Sequence, residues 1–320
     1  MESEIICTAI LFSESDFFYP VIEGIPRLIV EAYDDYSDFF KRHLTDYSER
    51  KILLETKYKA LIQKVKSKNG QTKKSFEQEW AQFDYENDKT WDLDSKALLD
   101  RFLLETDESR ETLSGKWILD AGCGNGQLNT EMAKSGMQVI GMDFSLSVVR
   151  AFNLNDQPNA FFVQGDVEFP PFHFNFFDVV HSSGVLIHTQ RTELSLSCLE
   201  PCVKPGGKLS IWAYKPNQDF IHNFFNRIRC VTSRLPINFQ YNLYAVTLLP
   251  MSYIVKKIKG NPQNAREMMV DILDWFSPRY RWEHEETEMQ SWFCKRNFHQ
   301  MKVTDLNRWG FNMIGTKKTT

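Results

Sequence analysis

Five short apolar runs, each closed by a polar or small residue, organise the middle of the chain: Trp117–Ala121, Gln138–Asp143 and residues 160–164, 177–181 and 208–214. Runs of this length between turn signals read as buried strands, and the stretches that separate them have room for helices. That alternation predicts an α/β fold with a doubly wound, mostly parallel sheet. Two later runs, 301–306 and 311–317, supply closing strands. Upstream the texture differs. Residues 19–28 read as strand, tight turn at Gly24 and strand. Apolar residues mix with charges at helical spacing over 34–68, where Ile52, Leu53, Tyr58, Leu61, Ile62 and Val65 form a stripe, so one long helix is expected. The lysine-rich, glycine-containing stretch 66–74 reads as an exposed loop, and 95–104 as an amphipathic helix entering the first core strand. After residue 214 comes an insertion rich in aromatics and basic residues. Its apolar positions, among them Phe220, Phe224, Phe225 and Phe239, predict helices covering the crevice.

The turn after the first core strand, Asp120-Ala121-Gly122-Cys123-Gly124-Asn125-Gly126, holds the candidate chemistry. Alternating glycines let backbone approach a ligand and accept positive φ. The dinucleotide fingerprint needs glycine where Gln127 stands, and the Gly-Lys-Ser/Thr of a P-loop is absent. The second strand ends on Asp143, about twenty residues downstream, where a carboxylate can hold two ribose hydroxyls. Further exits at Gly165-Asp166 and Ser182-Ser183-Gly184 converge on the same crevice, because ligands of doubly wound sheets sit outside the carboxyl ends of the strands.

Composition narrows the class. A chain of 320 residues with 42% hydrophobic content can bury one substantial core and carry appendages. Its formal net charge of −4 lacks the global basic bias of a nucleic-acid binder. No apolar run approaches the roughly 18 residues of a membrane span, and the acidic N-terminus has no signal-peptide pattern, so a cytoplasmic location is expected. Six cysteines without a Cys-x-x-Cys pair read as reduced thiols, and no metal site is expected.

Asp120-Ala-Gly-Cys-Gly-Asn-Gly126, the strand ending at Asp143, Gly165-Asp166, Gly184-Val-Leu-Ile-His-Thr189 and Lys204-Pro-Gly-Gly207 together resemble the successive motifs of class I S-adenosylmethionine-dependent methyltransferases. The likeness covers residues 113–214 and departs at Ile187-His188, where many members have two histidines. It implies a seven-stranded Rossmann-like sheet with an antiparallel final hairpin, and S-adenosyl-L-methionine as cofactor. Asp120, Gly122, Gly124 and Gly126 would surround its methionine and ribose parts, Asp143 the ribose, and Phe144 an adenine face. Asp166 would take the adenine amino group, with Val167 and Ser182 completing the site. His188 is the candidate catalytic base. Tyr214, Tyr280 and His284 are candidate substrate contacts, the last two within a stretch resembling a subgroup that acts mostly on small molecules, glycans or lipids. Residues 19–28 also resemble the tail of a zinc-ribbon-like module lacking its paired cysteines. The expected organisation is a remnant module at 1–30, a helical extension at 31–90 and a methyltransferase domain at 91–320 with a lid at 215–284. The expected activity is methyl transfer to a small molecule. The alternatives are a protein or RNA acceptor, for which nucleic acid is disfavoured by charge, and a non-catalytic binding module on the same scaffold.

Overall fold

A computed structural model describes residues 6–82, 93–217 and 219–319. Ten strands form one mixed sheet: β1 (Thr8–Phe12), β2 (Phe18–Ile22), β3 (Ile25–Leu28), β4 (Trp117–Ala121), β5 (Gln138–Asp143), β6 (Ala160–Gly165), β7 (Phe177–Ser183), β8 (Val203–Tyr214), β9 (Phe298–Leu306) and β10 (Gly310–Lys317), in the order β1-β2-β3-β6-β5-β4-β7-β8-β10-β9. The seven strands from β6 to β9 are the expected core: β6, β5, β4, β7 and β8 run parallel, and β10 lies antiparallel between β8 and β9. Apolar residues fill both faces of the central strands. Ile118, Leu119, Val139, Met142 and Val180 are fully buried, as a sheet covered by helices on each side requires.

The expectation of seven strands is corrected at the N-terminal edge. β2 and β3 pair antiparallel about the Glu23-Gly24 turn, and β3 pairs parallel with β6 through Arg27↔Gln164 and Leu28↔Gly165. The strand–turn–strand reading holds, but the hairpin extends the sheet and is no zinc-ribbon module. Cys7 is exposed, and no cluster of three potential metal ligands exists among the described residues.

Two expectations for the following segment are also corrected. Residues 34–68 break into Ala32–Asp35, Ser37–His43, Tyr47–Lys57 and the start of Lys59–Gln82, interrupted at Tyr36, Leu44 and Tyr58. Leu54, Ile62 and Val65 join Phe18, Tyr33 and Phe40 in a small core, whereas Ile52 and Leu53 face solvent. The stretch 66–74 is no loop. It lies inside helix Lys59–Gln82, with Asn69, Thr72 and Ser75 buried. Lys68 and Asn69 on this helix meet the carboxylates of Glu168 and Asp166, polar burial that hydrophobic periodicity could not reveal.

Helix Ser95–Thr106, capped by Asp94 accepting from the Ala97 amide, packs beneath the sheet ahead of β4. The insertion after β8 forms helices Phe220–Thr232, Ile237–Val246, Leu248–Ile258 and Ala265–Phe276. They share a core of Tyr244, Met269, Ile272, Leu273 and Phe276, and the last of them packs against helix Lys59–Gln82.

Candidate donor pocket and acceptor chamber

The glycine turn shapes the floor of one cavity. Gly122 and Gly124 hold φ of 97° and 51°, conformations that favour glycine. A Cβ on Gly122 would stand 2.2 Å from a Val185 methyl, so the chain after β7 closes over the turn. Asp143, at the end of β5, accepts from the Gly124 amide at 3.1 Å through Oδ2 and from the Ser145 amide and hydroxyl through Oδ1. Burial raises the Asp143 pKa against these donors. Turn and carboxylate are thereby one rigid unit facing Phe144, Asp166, Val167, Ser183 and Gly184 across the cavity.

The roof is helix Lys59–Gln82. Lys68 reaches Asp166 at 3.3 Å and Glu168 at 2.7 Å, and the Asn69 amide donates to Asp166 at 2.8 Å and to Glu31 at 3.3 Å. Thr72 and Phe76 also line the cavity, and Phe76 stands edge-on to both Phe144 and His188. About 90 Å³ of free space remains below this helix.

A second cavity of about 720 Å³ adjoins the first. Trp212, Tyr214, Phe225, Trp275, Phe276 and Trp309 give it aromatic walls, and Arg101, Lys256, Asp271 and Arg281 are charged groups on them. The Arg281 guanidinium lies 3.9 Å from the Tyr214 ring centre and 4.9 Å from that of Trp275, bonded to Glu283 at 2.6 Å. Ser183, Gly184 and Asp274 line both cavities. Burial raises Asp274 to a pKa of about 6, helped by Asp271 and opposed by Arg281 and by the Tyr214 hydroxyl, which donates to it at 3.3 Å. His188 faces the same junction. Its Nδ1 lies 2.9 Å from the Tyr280 carbonyl, so Nδ1–H donates, and Nε2 has no hydrogen-bond partner, 3.8 Å from Asp274. Burial lowers the His188 pKa to about 3, so the imidazole is neutral.

Gly122, Gly124, Asp143, Phe144, Asp166, Val167, His188 and Tyr280 line the first cavity, and Tyr214 the second. Four expected residues line neither. Asp120 points under the sheet to His181 Nδ1 at 3.2 Å, and His181 Nε2 meets Glu105 at 2.7 Å. Gly126 packs on Ala151 and Phe162, where a Cβ would stand 2.5 Å from the Ala151 methyl. The Ser182 hydroxyl donates to the Ala121 carbonyl, because successive strand residues face opposite ways and its neighbour Ser183 takes the cavity side. His284 bonds Thr192 and Glu288 beside Trp292. Sequence reasoning missed Lys68, Asn69, Thr72, Phe76 and Asp274. The first three were hidden by reading 66–74 as a loop, Phe76 lies just beyond that stretch, and Asp274 carried a signal in the Asp-Trp-Phe-Ser-Pro-Arg-Tyr stretch it opens.

The donor set fits an adenosyl group carrying a sulfonium: fixed carboxylates at Asp143 and Asp166, an aromatic face at Phe144 and glycine backbone that admits close approach. Residues 119–211 match the family model described as a methyltransferase domain. The chain is 28% identical over 193 residues to the demethylmenaquinone methyltransferase of Renibacterium salmoninarum, covering 60% of this chain and 70% of that protein. It is 32% identical over 105 residues to a ubiquinone biosynthesis O-methyltransferase of Coxiella burnetii, covering 32% of this chain and 45% of the other, so the chain spans less than half of that relative. A magnesium protoporphyrin IX methyltransferase from Synechocystis, solved with bound SAH, aligns at 16% identity and a TM-score of 0.41 over 70% of this chain and 81% of that one. Residues 119–211 are a methyltransferase domain.

Proposed function

We propose that the protein methylates a small-molecule acceptor held in the 720 Å³ chamber, with the donor below helix Lys59–Gln82 and transfer at the wall the two cavities share. The observation that carries this reading is that wall: Ser183, Gly184 and Asp274 line both spaces, so donor and acceptor atoms can meet there. The activities of the relatives, on demethylmenaquinone and in ubiquinone biosynthesis, support a small acceptor. Bound S-adenosylmethionine supplies an electrophilic methyl group on a positively charged sulfur.

The chain's own task is alignment, exclusion of water and removal of one proton. Alignment of two bound partners is worth effective molarities up to about 10⁵–10⁸ M in well-oriented systems. Asp143 and the glycine turn hold the donor, and the aromatic walls hold the acceptor. Asp274 takes the proton of an acceptor hydroxyl or amine: a carboxyl with a pKa of about 6 is ionised at neutral pH and basic enough to serve. His188, neutral with a bare Nε2, accepts a hydrogen bond that orients the acceptor.

Calorimetric titration with S-adenosylmethionine and S-adenosylhomocysteine tests the donor half. Asp143→Ala should weaken binding by about 1.5–3 kcal/mol, the range for hydrogen bonds to a charged group. Unchanged affinity would remove Asp143 from the site, and no binding to the wild type would turn the reading to a non-catalytic scaffold.

A further inference from the structure

Residues 220–266 contain seven lysines and arginines and no aspartate or glutamate, in a chain of formal net charge −4. Three of the lid helices, Phe220–Thr232, Ile237–Val246 and Leu248–Ile258, come from this stretch and turn apolar side chains outward. Helix Leu248–Ile258 buries none of its residues. Met251, Ile254, Val255 and Ile258 are spaced i, i+3, i+4, i+7, so they share one face, and they are 57%, 59%, 50% and 81% exposed. Phe220 is 84% exposed and Val246 74%, one on each of the other two helices. Arg227, Arg234, Lys257 and Lys259 are exposed around these positions. A surface helix normally turns its apolar stripe to the core, and an outward one marks a surface that works against something else.

Charge selects the partner. A second copy of the chain would oppose one acid-free basic face to another. Anionic lipid headgroups complement it: aliphatic side chains enter the headgroup–acyl boundary while arginines and lysines stay among the phosphates. No described helix is long and apolar enough to cross a membrane, so the contact lies in the interface plane. The outward face is also continuous with the acceptor chamber, since Met251 and Val255 line that cavity from the same helix. We propose that the lid helices dock on an anionic lipid bilayer surface, with the chamber opening beside the docked face. The docking does not depend on the methyl-transfer reading.

The test is flotation of the full chain with extruded vesicles of phosphatidylcholine alone or mixed with phosphatidylglycerol, at low and physiological salt. Expected are at least tenfold stronger partitioning onto the anionic vesicles and a tenfold or greater loss in the double variant Ile254→Asp, Ile258→Asp. S-adenosylhomocysteine affinity, read in parallel, should be unchanged, which separates failure of docking from failure of the donor site. Phe174→Asp, at a 76% exposed position outside the lid, should float as the wild type does. A second variant, Lys257→Glu with Lys259→Glu, keeps the apolar face and should lose the preference for anionic lipid. Absence of wild-type flotation would overturn the proposal, as would flotation undiminished in the Ile254, Ile258 variant. Dimerisation seen by light scattering and abolished by that variant, or salt-sensitive binding to an RNA oligonucleotide without flotation, would assign the face elsewhere and also overturn it.

Discussion

Asp274 and His188 show how burial divides two roles between neighbouring groups. Each is removed from water, which disfavours charge on either: the carboxyl rises to a pKa of about 6 and the imidazole falls to about 3. The carboxylate is therefore the stronger base of the two at neutral pH. Asp274→Asn should lower the transfer rate by about 10²–10⁴, the usual worth of a general base, and abolish the rise of kcat through pH 6. An unchanged pH–rate profile with a turned-over acceptor would remove Asp274 from the proton path. The Glu105–His181–Asp120 cluster reverses this logic. Burial alone would depress His181, but the hydrogen bonds it donates to Asp120 and Glu105 lift it to about 9. Burial opposes ionisation of Glu105 too, yet His181 and Arg101 hold its pKa below the usual value. A raised imidazole contributes stability that is complete below about pH 6.5 and is lost as pH rises through about 9. The depressed Glu105 contributes above its ordinary pKa and loses that as pH falls. Thermal melts should therefore show stability declining from pH 6.5 to 9.5, by on the order of 3 kcal/mol from His181. His181→Gln should flatten that decline.

At the scale of elements, helix Lys59–Gln82 is the decisive correction. Gly70, Asn69 and Thr72 have poor helix propensity, and the lysines have no apolar stripe to organise them, so the stretch looks like a loop. It is helical because Lys68 and Asn69 meet Asp166 and Glu168 while Lys73 meets Asp35. Each of those partners is distant in sequence. A Cβ at Gly70 would meet nothing within 4 Å. Gly70→Ala should thus stabilise the protein by about 0.5–1 kcal/mol in denaturant titration. A destabilising effect would mean that this segment is not helical in solution. The five central strands were legible from their apolar runs and exits because a strand buried on both faces writes its burial into consecutive residues.

Across the whole molecule, the N-terminal hairpin and helix Lys59–Gln82 meet the core at β6 and at the donor cavity. Arg27, buried on β3, and the Tyr36 hydroxyl on Gln164 tie the hairpin side to the end of β6. Removing residues 6–28 would bare the β6 edge and take Ile25 out of the core cluster that also holds Leu99 and Phe102. Such a truncation should lower the melting temperature and drive association, seen as early elution in size-exclusion chromatography. A truncated chain that stays monomeric and melts unchanged would make the hairpin an ornament.

The sequence alone determined the glycine turn and the strand-end carboxylates that meet at the first cavity. Its turn glycines and strand-end carboxylates are local features, read from neighbours along one βα step, and Gly122, Gly124, Asp143 and Asp166 all line the donor cavity. Tertiary structure decided which residues of each strand end face the ligand, separating Ser183 from Ser182 and turning Asp120 toward His181. It also decided the roof and the acceptor wall, since Asn69 and Asp274 reach Asp166 and His188 across 97 and 86 positions of chain. Polar groups that satisfy one another over such separations leave no periodic trace, because their burial depends on a partner that only the fold brings near.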